Sequence, residues 1–164
     1  MKHFRGAIAL AETEAVALEE RRWDDWLSHY HTDCIYWAPT WRADGQIADN
    51  PFTQMSHIYY DRRSALEDRV ARFSDPASPA ANPLPRTTHL LSCFRPLAGS
   101  MVGQVRLRAN WVTHMYFVPD RTSHALFGHI DYVIASEDER PLILEKKVVL
   151  QNDQIPTMID IYCM

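Results

Sequence analysis

The sequence predicts one α+β domain spanning residues 1–164, with a helical front part and a stranded back part. Two observations carry this prediction: apolar residues recur at spacings of three and four in the front part, and they alternate with polar residues after residue 86. The length of 164 residues and the hydrophobic fraction of 46% suit one domain with a sizeable core. Runs of helix followed by runs of antiparallel strand are typical of α+β domains, and a curved sheet wrapped around the helices would close the core.

Two helical regions are predicted, at about residues 5–31 and 61–73. The first carries apolar stripes in two successive patterns: Ile8, Ala11, Ala15 and Leu18, then Trp23, Trp26, Leu27 and Tyr30. In the second region, Leu66, Val70 and Phe73 line one face. Asp61 stands where it could cap the first turn of this helix.

Strands are predicted at about residues 33–38 and, in series, over residues 86–152. The first is rich in aromatic residues and stops at Pro39. The clearest strand of the series runs from Val102 to Val118, where apolar and polar residues alternate. The remaining segments are predicted as turns at 120–121 and 137–140 and as surface loops at 42–54 and at the proline-rich residues 74–86.

Composition and charge exclude several classes of function. The formal net charge of -4 gives no basic footprint for nucleic acid, and no stretch approaches the roughly 18 apolar residues of a membrane span. The apolar run in Met1–Leu10 is too short for a signal peptide. Three widely spaced cysteines, Cys34, Cys93 and Cys163, are interpreted as reduced thiols, so we expect a cytoplasmic protein.

The sequence contains no motif for a metal or a nucleotide cofactor. A Rieske cluster needs two cysteines and two histidines, which do not occur here at the required spacing. The nearest pair for a mononuclear iron is His29 and His31, and on a helix two side chains at this spacing diverge. With only five glycines, glycine-rich phosphate loops are also excluded. We therefore predict no catalytic, cofactor-binding or metal-binding residue on this chain.

One enzymatic interpretation stays open. A curved sheet over helices would enclose a cone-shaped cavity, and five side chains could project into it: Tyr36, Tyr59, His89, His114 and Asp131. A histidine beside a tyrosine or an aspartate in an apolar pocket could act as a general acid or base. Alternatively, each histidine satisfies a local hydrogen bond or faces a partner chain.

Several segments together resemble one protein family, over almost the whole chain and in the family's order. They are Arg22-Trp-Asp-Asp-Trp-Leu-Ser-His-Tyr30, Asp33-Cys-Ile-Tyr-Trp-Ala-Pro39 with Trp41, Ile58-Tyr-Tyr-Asp-Arg62 with Leu66-Glu-Asp-Arg-Val70, Arg86-Thr-Thr-His89, Pro141-Leu-Ile-Leu-Glu-Lys-Lys-Val-Val-Leu-Gln-Asn-Asp153 and Ile159-Asp-Ile-Tyr162. These segments are similar to the small (β) subunits of bacterial Rieske-type aromatic-ring-hydroxylating dioxygenases, above all to the benzoate, toluate and anthranilate group.

The resemblance implies a cystatin-like cone, the α+β fold of nuclear transport factor 2 and scytalone dehydratase. It implies a non-catalytic structural subunit that assembles with a large α subunit and with copies of itself, as α3β3. The α subunit would carry the Rieske [2Fe-2S] cluster and the mononuclear Fe(II), and a reductase would supply electrons from NADH. The complex would dihydroxylate an aromatic carboxylate with O2. The fold relationship leaves two alternatives: a lyase or isomerase of the scytalone dehydratase type, and a small binding domain of the transport-factor type.

A subunit of this kind needs an assembly surface. Arginine, tryptophan and tyrosine are enriched at protein interfaces. Four arginines cluster around the predicted helix at residues 61–73, where alternating charges also suit a solvated helix face: Arg62, Arg63, Arg69 and Arg72. The aromatic residues Trp37, Trp41, Tyr59 and Tyr60 suit either an assembly surface or core packing. The candidate interface residues are Trp41, Tyr59, Tyr60, Asp61, Arg62, Arg69 and Arg86.

Overall fold

The computed structural model describes residues 2–75, 83–135, 140–152, 154–155 and 158–164. The helices and strands in these ranges are α1 Lys2–Glu19, α2 Trp23–Ser28, β1 Tyr30–Pro39, β2 Ser56–Tyr60, α3 Arg63–Ser74, β3 Arg86–Pro96, β4 Gln104–Phe117, β5 Thr122–Ala135 and β6 Leu142–Leu150. A short 3₁₀ turn, Ile161–Cys163, follows. The observed order of helices and strands confirms the predicted α+β class.

The six strands form one curved, open sheet in the order β2-β1-β6-β5-β4-β3. Neighbouring strands are antiparallel, except for β1 and β6, which are parallel. The two edge strands are therefore β2 and β3. The helices lie against one face of this sheet, which is here called the inner face, and the other is called the outer face.

The alternation of side chains along each strand separates these two faces. Residues paired directly across neighbouring strands point to the same side of a sheet. One inner row crosses four strands and consists of buried residues: Leu107, Tyr132, Lys146 and Tyr36. The next row along the same strands points outward and consists of Arg108, Asp131, Lys147 and Trp37. Tyrosine and lysine in the inner row show that the core contains polar atoms.

The first helical region ends earlier than predicted, and its two apolar patterns belong to two helices, α1 and α2. Arg21 has a φ of 56°, a left-handed conformation that ends α1 before α2 begins. The prediction that the region extends to about residue 31 is wrong, because Tyr30 and His31 already belong to β1. Tyr30 is fully buried and bonds to a carboxylate of α1, so tertiary contacts override the helical spacing of this residue.

The segment before α3 also differs from the prediction. Ser56–Tyr60 forms the edge strand β2, which the sequence pattern did not reveal, and pairs with β1. Asp61 does not cap α3. Arg62 occupies the N-cap position without a side-chain cap, and its guanidinium instead bonds to the Asp61 carboxylate at 2.8 Å. Asp61 therefore lies one residue before the N-cap position, because α3 begins at Arg63.

Two predicted segments lie partly outside the described residues: residues 76–82 of the proline-rich loop and residues 137–139 of the predicted turn. On the described side of the loop, the main-chain oxygen of Pro85 accepts a hydrogen bond from Arg21 at 2.8 Å. Among the described helices, none is both long and apolar enough to cross a membrane.

Candidate functional site

A buried carboxylate lies at the centre of the helix–sheet interface. Glu14 of α1 is completely buried, and its carboxylate accepts two hydrogen bonds from Lys146 of β6, at 2.8 and 3.0 Å. Trp26 donates to it at 2.6 Å from α2, and Tyr30 donates at 2.7 Å from β1. One carboxylate therefore joins two helices to two strands.

The charge of Glu14 is stabilised within the core. Burial opposes its ionisation, but the positive charge of Lys146 and the hydrogen bonds from Lys146, Tyr30 and Trp26 outweigh this effect and hold the pKa of Glu14 below its usual 4.5. Burial, and then the charge of Glu14, raise the pKa of Tyr30 well above 10. This tyrosine is therefore a neutral hydrogen-bond donor.

The same lysine also contacts the last described residue. Lys146 Nζ donates to the main-chain oxygen of Met164 at 3.1 Å, and the Tyr36 hydroxyl donates to that oxygen at 3.2 Å. The ammonium lies 5.5 Å from the ring centre of Tyr36 and 5.9 Å from that of Tyr132. The ammonium of Lys146 therefore has hydrogen-bond partners within the packed core, as expected of a structural ion pair.

His89 occupies the inner face of β3, close to this network. Its side chain is 5% exposed, and neither of its ring nitrogens has a hydrogen-bond partner. Burial, and then the positive charge of Lys146, lower the pKa of His89 to about 4, so the ring is neutral at physiological pH. The indole nitrogen of Trp111 is also buried without a partner.

The space between these side chains is small. A cavity lined by Glu14, His89, Trp111, Tyr132 and Lys146 has a volume of about 10 Å³. This volume suits about one water molecule, whereas pockets for organic ligands usually measure about 300 Å³ or more. This cavity between the described side chains therefore has polar groups in its wall but no room for an aromatic substrate.

The five residues predicted to line a catalytic cavity are not brought together. Tyr36 and His89 do lie on the inner face. His114 pairs with Thr88, one position away from the pair of His89 with Thr113, so the two histidines point to opposite faces. Asp131 is also on the outer face, where it binds Arg108, and Tyr59 is aligned with Trp37 on that face. The five side chains therefore do not form a shared acid–base cluster, and the structure does not support the enzymatic alternative that the sequence left open.

The predicted interface residues lie in several places. Trp41 is 46% exposed, and its indole nitrogen donates to the main-chain oxygen of Leu150 at 2.6 Å. Arg69 binds both carboxylate oxygens of the buried Asp160. Arg86 begins β3, at the opposite edge of the sheet from β2.

The other members of that prediction also divide between two environments. Tyr59 faces outward beside Trp37, while the half-buried Tyr60 lies close to the charges of Arg69 and Asp160. Asp61 and Arg62 are exposed and pair with each other. One continuous surface containing all seven residues is therefore not present.

The outer face has features that the sequence reasoning missed. Arg108 binds Asp131 through two hydrogen bonds, at 2.5 and 2.7 Å. On the next strand, the Lys147 ammonium lies 4.3 Å from the ring centre of Trp37. An apolar row lies beside them, formed by Leu90, Val112 and Phe127, which are paired across β3, β4 and β5; Leu90 and Phe127 are exposed, and Val112 is half-buried. The alternation of apolar and polar residues within β4 and β5 was the available signal in the sequence. The register between the strands was needed to show which of these residues lie side by side on the outer face.

The described residues do not fit an iron site. They contain no group of three or more histidine, cysteine, aspartate or glutamate side chains placed to hold a metal ion. Cys34 and Cys163 are buried thiols, and Cys93 is an exposed one. His31 lies 3.9 Å from Asp33 as an exposed pair on β1. Neither a Rieske cluster nor a mononuclear iron matches these arrangements.

Comparison with known proteins identifies the family. The model of the family described as "Ring hydroxylating beta subunit" matches residues 13–157. The chain belongs to this family. It is 39% identical over 150 residues to the benzoate 1,2-dioxygenase subunit beta of Acinetobacter baylyi, covering 92% of this chain and 87% of the relative. It is 40% identical over 149 residues to the toluate 1,2-dioxygenase subunit beta of Pseudomonas putida, covering 91% and 90%.

Solved structures agree with this membership and with the predicted cone fold. The β subunit of the benzoate 1,2-dioxygenase from Burkholderia mallei superposes with a TM-score of 0.78 at 33% identity, covering 96% of this chain and 95% of that one. A candidate scytalone dehydratase from Novosphingobium aromaticivorans superposes with a TM-score of 0.67 at 11% identity, covering 90% and 83%. At this low identity the second likeness concerns the fold alone. The cystatin-like, nuclear transport factor 2-like cone is confirmed, and the ring-hydroxylating beta subunits are parts of oxidoreductase complexes.

Proposed function

We propose that this beta subunit is a structural component of an aromatic-carboxylate dioxygenase and assembles with a large α subunit, three copies of each. The relatives that carry this proposal are small subunits of benzoate and toluate 1,2-dioxygenases, matched over about nine tenths of the chain. The complex would act in the cytoplasm and add both atoms of O2 to the ring of an aromatic acid.

The metal chemistry belongs, in this proposal, to the α subunit. A Rieske [2Fe-2S] cluster there would receive electrons that a reductase takes from NADH, and a mononuclear Fe(II) would activate O2. The side chains of the beta subunit support this division of roles, because the described ones offer no metal-ligand group. We expect no catalytic residue on this chain.

The inner face supports the same interpretation. Glu14 and Lys146 form a hydrogen-bonded ion pair. The neighbouring cavity of about 10 Å³ is far too small for a benzoate-sized molecule. A lyase or isomerase of the scytalone dehydratase type would need an open cavity with converging acid and base groups. His89 and His114 point to opposite faces, so this second candidate function is not favoured.

Co-expression with an α chain of the benzoate type tests the proposal. We expect the two chains to co-elute in size-exclusion chromatography as one complex. We also expect the α chain expressed alone to be less soluble or less active. An α chain that reaches its final assembly and full activity alone, while the beta subunit elutes separately, would contradict the proposal.

A further inference from the structure

Three buried nitrogen atoms beside the inner-face cavity lack a protein partner. They are the two ring nitrogens of His89 and the indole nitrogen of Trp111, and none of them has a hydrogen-bond partner among the described residues. Trp111 is 3% exposed, and the side chain of His89 is 5% exposed. About 90% or more of the buried polar groups in native proteins are hydrogen-bonded, either to protein atoms or to ordered water. These nitrogens therefore need a partner that the described side chains do not supply.

The register of β3 with β4 places the two side chains on one wall of the cavity. His89 pairs with Thr113 and Leu91 pairs with Trp111, so His89 and Trp111 are diagonal neighbours on the inner face. Such neighbours lie about 7–8 Å apart at their Cα atoms, which is within reach of aromatic side chains. Both residues line the cavity of about 10 Å³. One small molecule in this space can therefore contact both of them.

The hydrogen-bonding groups of the two side chains are complementary. The indole nitrogen of Trp111 is only a donor. Burial, and then the charge of Lys146, lower the pKa of His89 to about 4, so its neutral ring has one donor and one acceptor nitrogen. Its Nδ1 lies 4.0 Å from the Glu19 carboxylate, and a main-chain group of Tyr162 lies near the ring without a hydrogen bond to it. With the hydrogen on Nδ1, facing the carboxylate, Nε2 is the acceptor.

We propose that this cavity binds one structural water molecule, which accepts a hydrogen bond from the Trp111 indole and donates one to the His89 ring. The volume of about 10 Å³ lies at the lower end of the roughly 10–15 Å³ that one buried water needs, and it excludes a larger ligand. The second hydrogen of the water points to the oxygen atoms in the same wall, those of Glu14 and Tyr132. About three hydrogen bonds are typical of a buried water.

A dry void is the competing interpretation, and the wall of the cavity argues against it. Cavities that stay dry are lined by apolar side chains. This cavity is lined in part by the ion pair of Glu14 and Lys146, in addition to His89 and Trp111. A buried donor without a partner destabilises the folded state, so a water that accepts from it stabilises the protein.

The water connects the edge strand β3 to the interior of the sheet. The main-chain N–H of His89 already donates to the Glu19 carboxylate at 3.0 Å, which attaches β3 to the end of α1. Through the water, the side chain of the same residue is joined to Trp111 of β4. This role does not depend on assembly with an α chain, so the inference goes beyond the proposed function.

A crystal structure of the full-length chain, at a resolution that shows ordered waters, tests the proposal. We expect one water within about 2.7–3.2 Å of both Trp111 Nε1 and a ring nitrogen of His89. Trp26 is the internal control, because its fully buried indole donates directly to Glu14 at 2.6 Å and should contact no water. The absence of a water between His89 and Trp111, or a direct hydrogen bond from Trp111 to a protein atom, would overturn the proposal.

Two variants at His89 extend the test to solution. His89→Leu removes both ring nitrogens, whereas His89→Gln keeps a donor and an acceptor on a side chain of similar size. Oxygen-17 magnetic relaxation dispersion counts the waters that stay bound for longer than the protein takes to tumble. We expect His89→Leu to hold about one such water fewer than wild type, and His89→Gln to hold the same number.

A folded His89→Leu chain with the same count as wild type would contradict the proposal, and so would a folded His89→Gln chain that has lost one water. Circular dichroism and melting curves show whether each variant folds. If His89→Leu does not fold, the wild-type crystal structure and the count for His89→Gln still decide the question.

Discussion

Replacing Glu14 with glutamine tests the buried ion pair with little change in shape. The amide keeps an oxygen that can accept from Trp26 and Tyr30, but it removes the side-chain carboxylate that Lys146 binds and leaves the buried ammonium with the main-chain oxygen of Met164. Removing one partner of a buried pair costs about 3 to 5 kcal/mol in the free energy of unfolding. This is a large part of the roughly 5 to 15 kcal/mol of a typical domain.

Urea unfolding of the isolated subunit measures this cost. With a slope of about 2 kcal/mol per molar urea, a loss of about 4 kcal/mol moves the midpoint down by about 2 M. The matched control is Glu14→Gln combined with Lys146→Met, which removes both charges. We expect the double variant to be more stable than Glu14→Gln alone, because the lone buried charge is gone.

Acid dependence gives a second readout of the same pair. The pKa of folded Glu14 lies below 4.5, so its ionised form stabilises the fold above the unfolded pKa, and this contribution is lost as the pH falls through the folded pKa. The difference in the free energy of unfolding between wild type and Glu14→Gln should therefore become smaller below about pH 4.5. A Glu14→Gln midpoint equal to wild type at pH 7, or a double variant less stable than Glu14→Gln, would refute the reasoning.

Three further predictions concern stability. The pKa of His89 is lowered to about 4, so the free energy of unfolding should fall by about 3 kcal/mol as the pH drops from about 6.5 to 4. His89→Leu should remove this part of the pH dependence, measured by urea unfolding at several pH values, and an unchanged pH profile would contradict the prediction. Arg69→Ala leaves the Asp160 carboxylate, which is 5% exposed, without its cation and should lower the free energy of unfolding by about 3 kcal/mol. The melting temperature of Arg69→Lys should lie between those of Arg69→Ala and wild type. Equal melting temperatures for all three proteins would contradict the prediction. Gly128→Ala places a Cβ 1.9 Å from the main-chain oxygen of Val149 and should lower the free energy of unfolding by more than about 3 kcal/mol. Gly45→Ala meets open space and should cost only about 1 kcal/mol, because of its φ of +77°. Similar losses of stability at both glycines would refute the packing argument.

The fold was predictable because the sequence patterns agree with the sheet over long segments. The alternation in β4 places Leu107 and Trp111 on one face over many residues, and such a pattern survives in the structure. The short strand β2 was missed because a five-residue edge strand within turn-forming residues has little periodic signal. Tyr30 was assigned to a helix because its spacing to Trp26 is helical, whereas its bond to Glu14 decides its place.

The buried network was not predictable from one sequence. Glu14 and Lys146 are 132 residues apart, and each reads as an exposed charge in its own segment. In β6, Lys146 and Lys147 are adjacent, and only the register shows that the first points inward and the second points outward. The enzymatic alternative stayed open at the level of sequence for the same reason, since only the alignment of β3 with β4 shows that His89 and His114 lie on opposite faces.

The central claim is that this chain builds the dioxygenase and takes no part in its chemistry. Turnover of an aromatic acid by the complex containing His89→Leu, per assembled complex, tests the claim most directly, because His89 is the inner-face histidine best placed for acid–base work. We predict the same turnover per complex as wild type, with any loss confined to the amount of complex that assembles. Loss of a general acid or base usually slows a reaction about 10²- to 10⁴-fold, and a loss of that size in fully assembled complex would contradict the account.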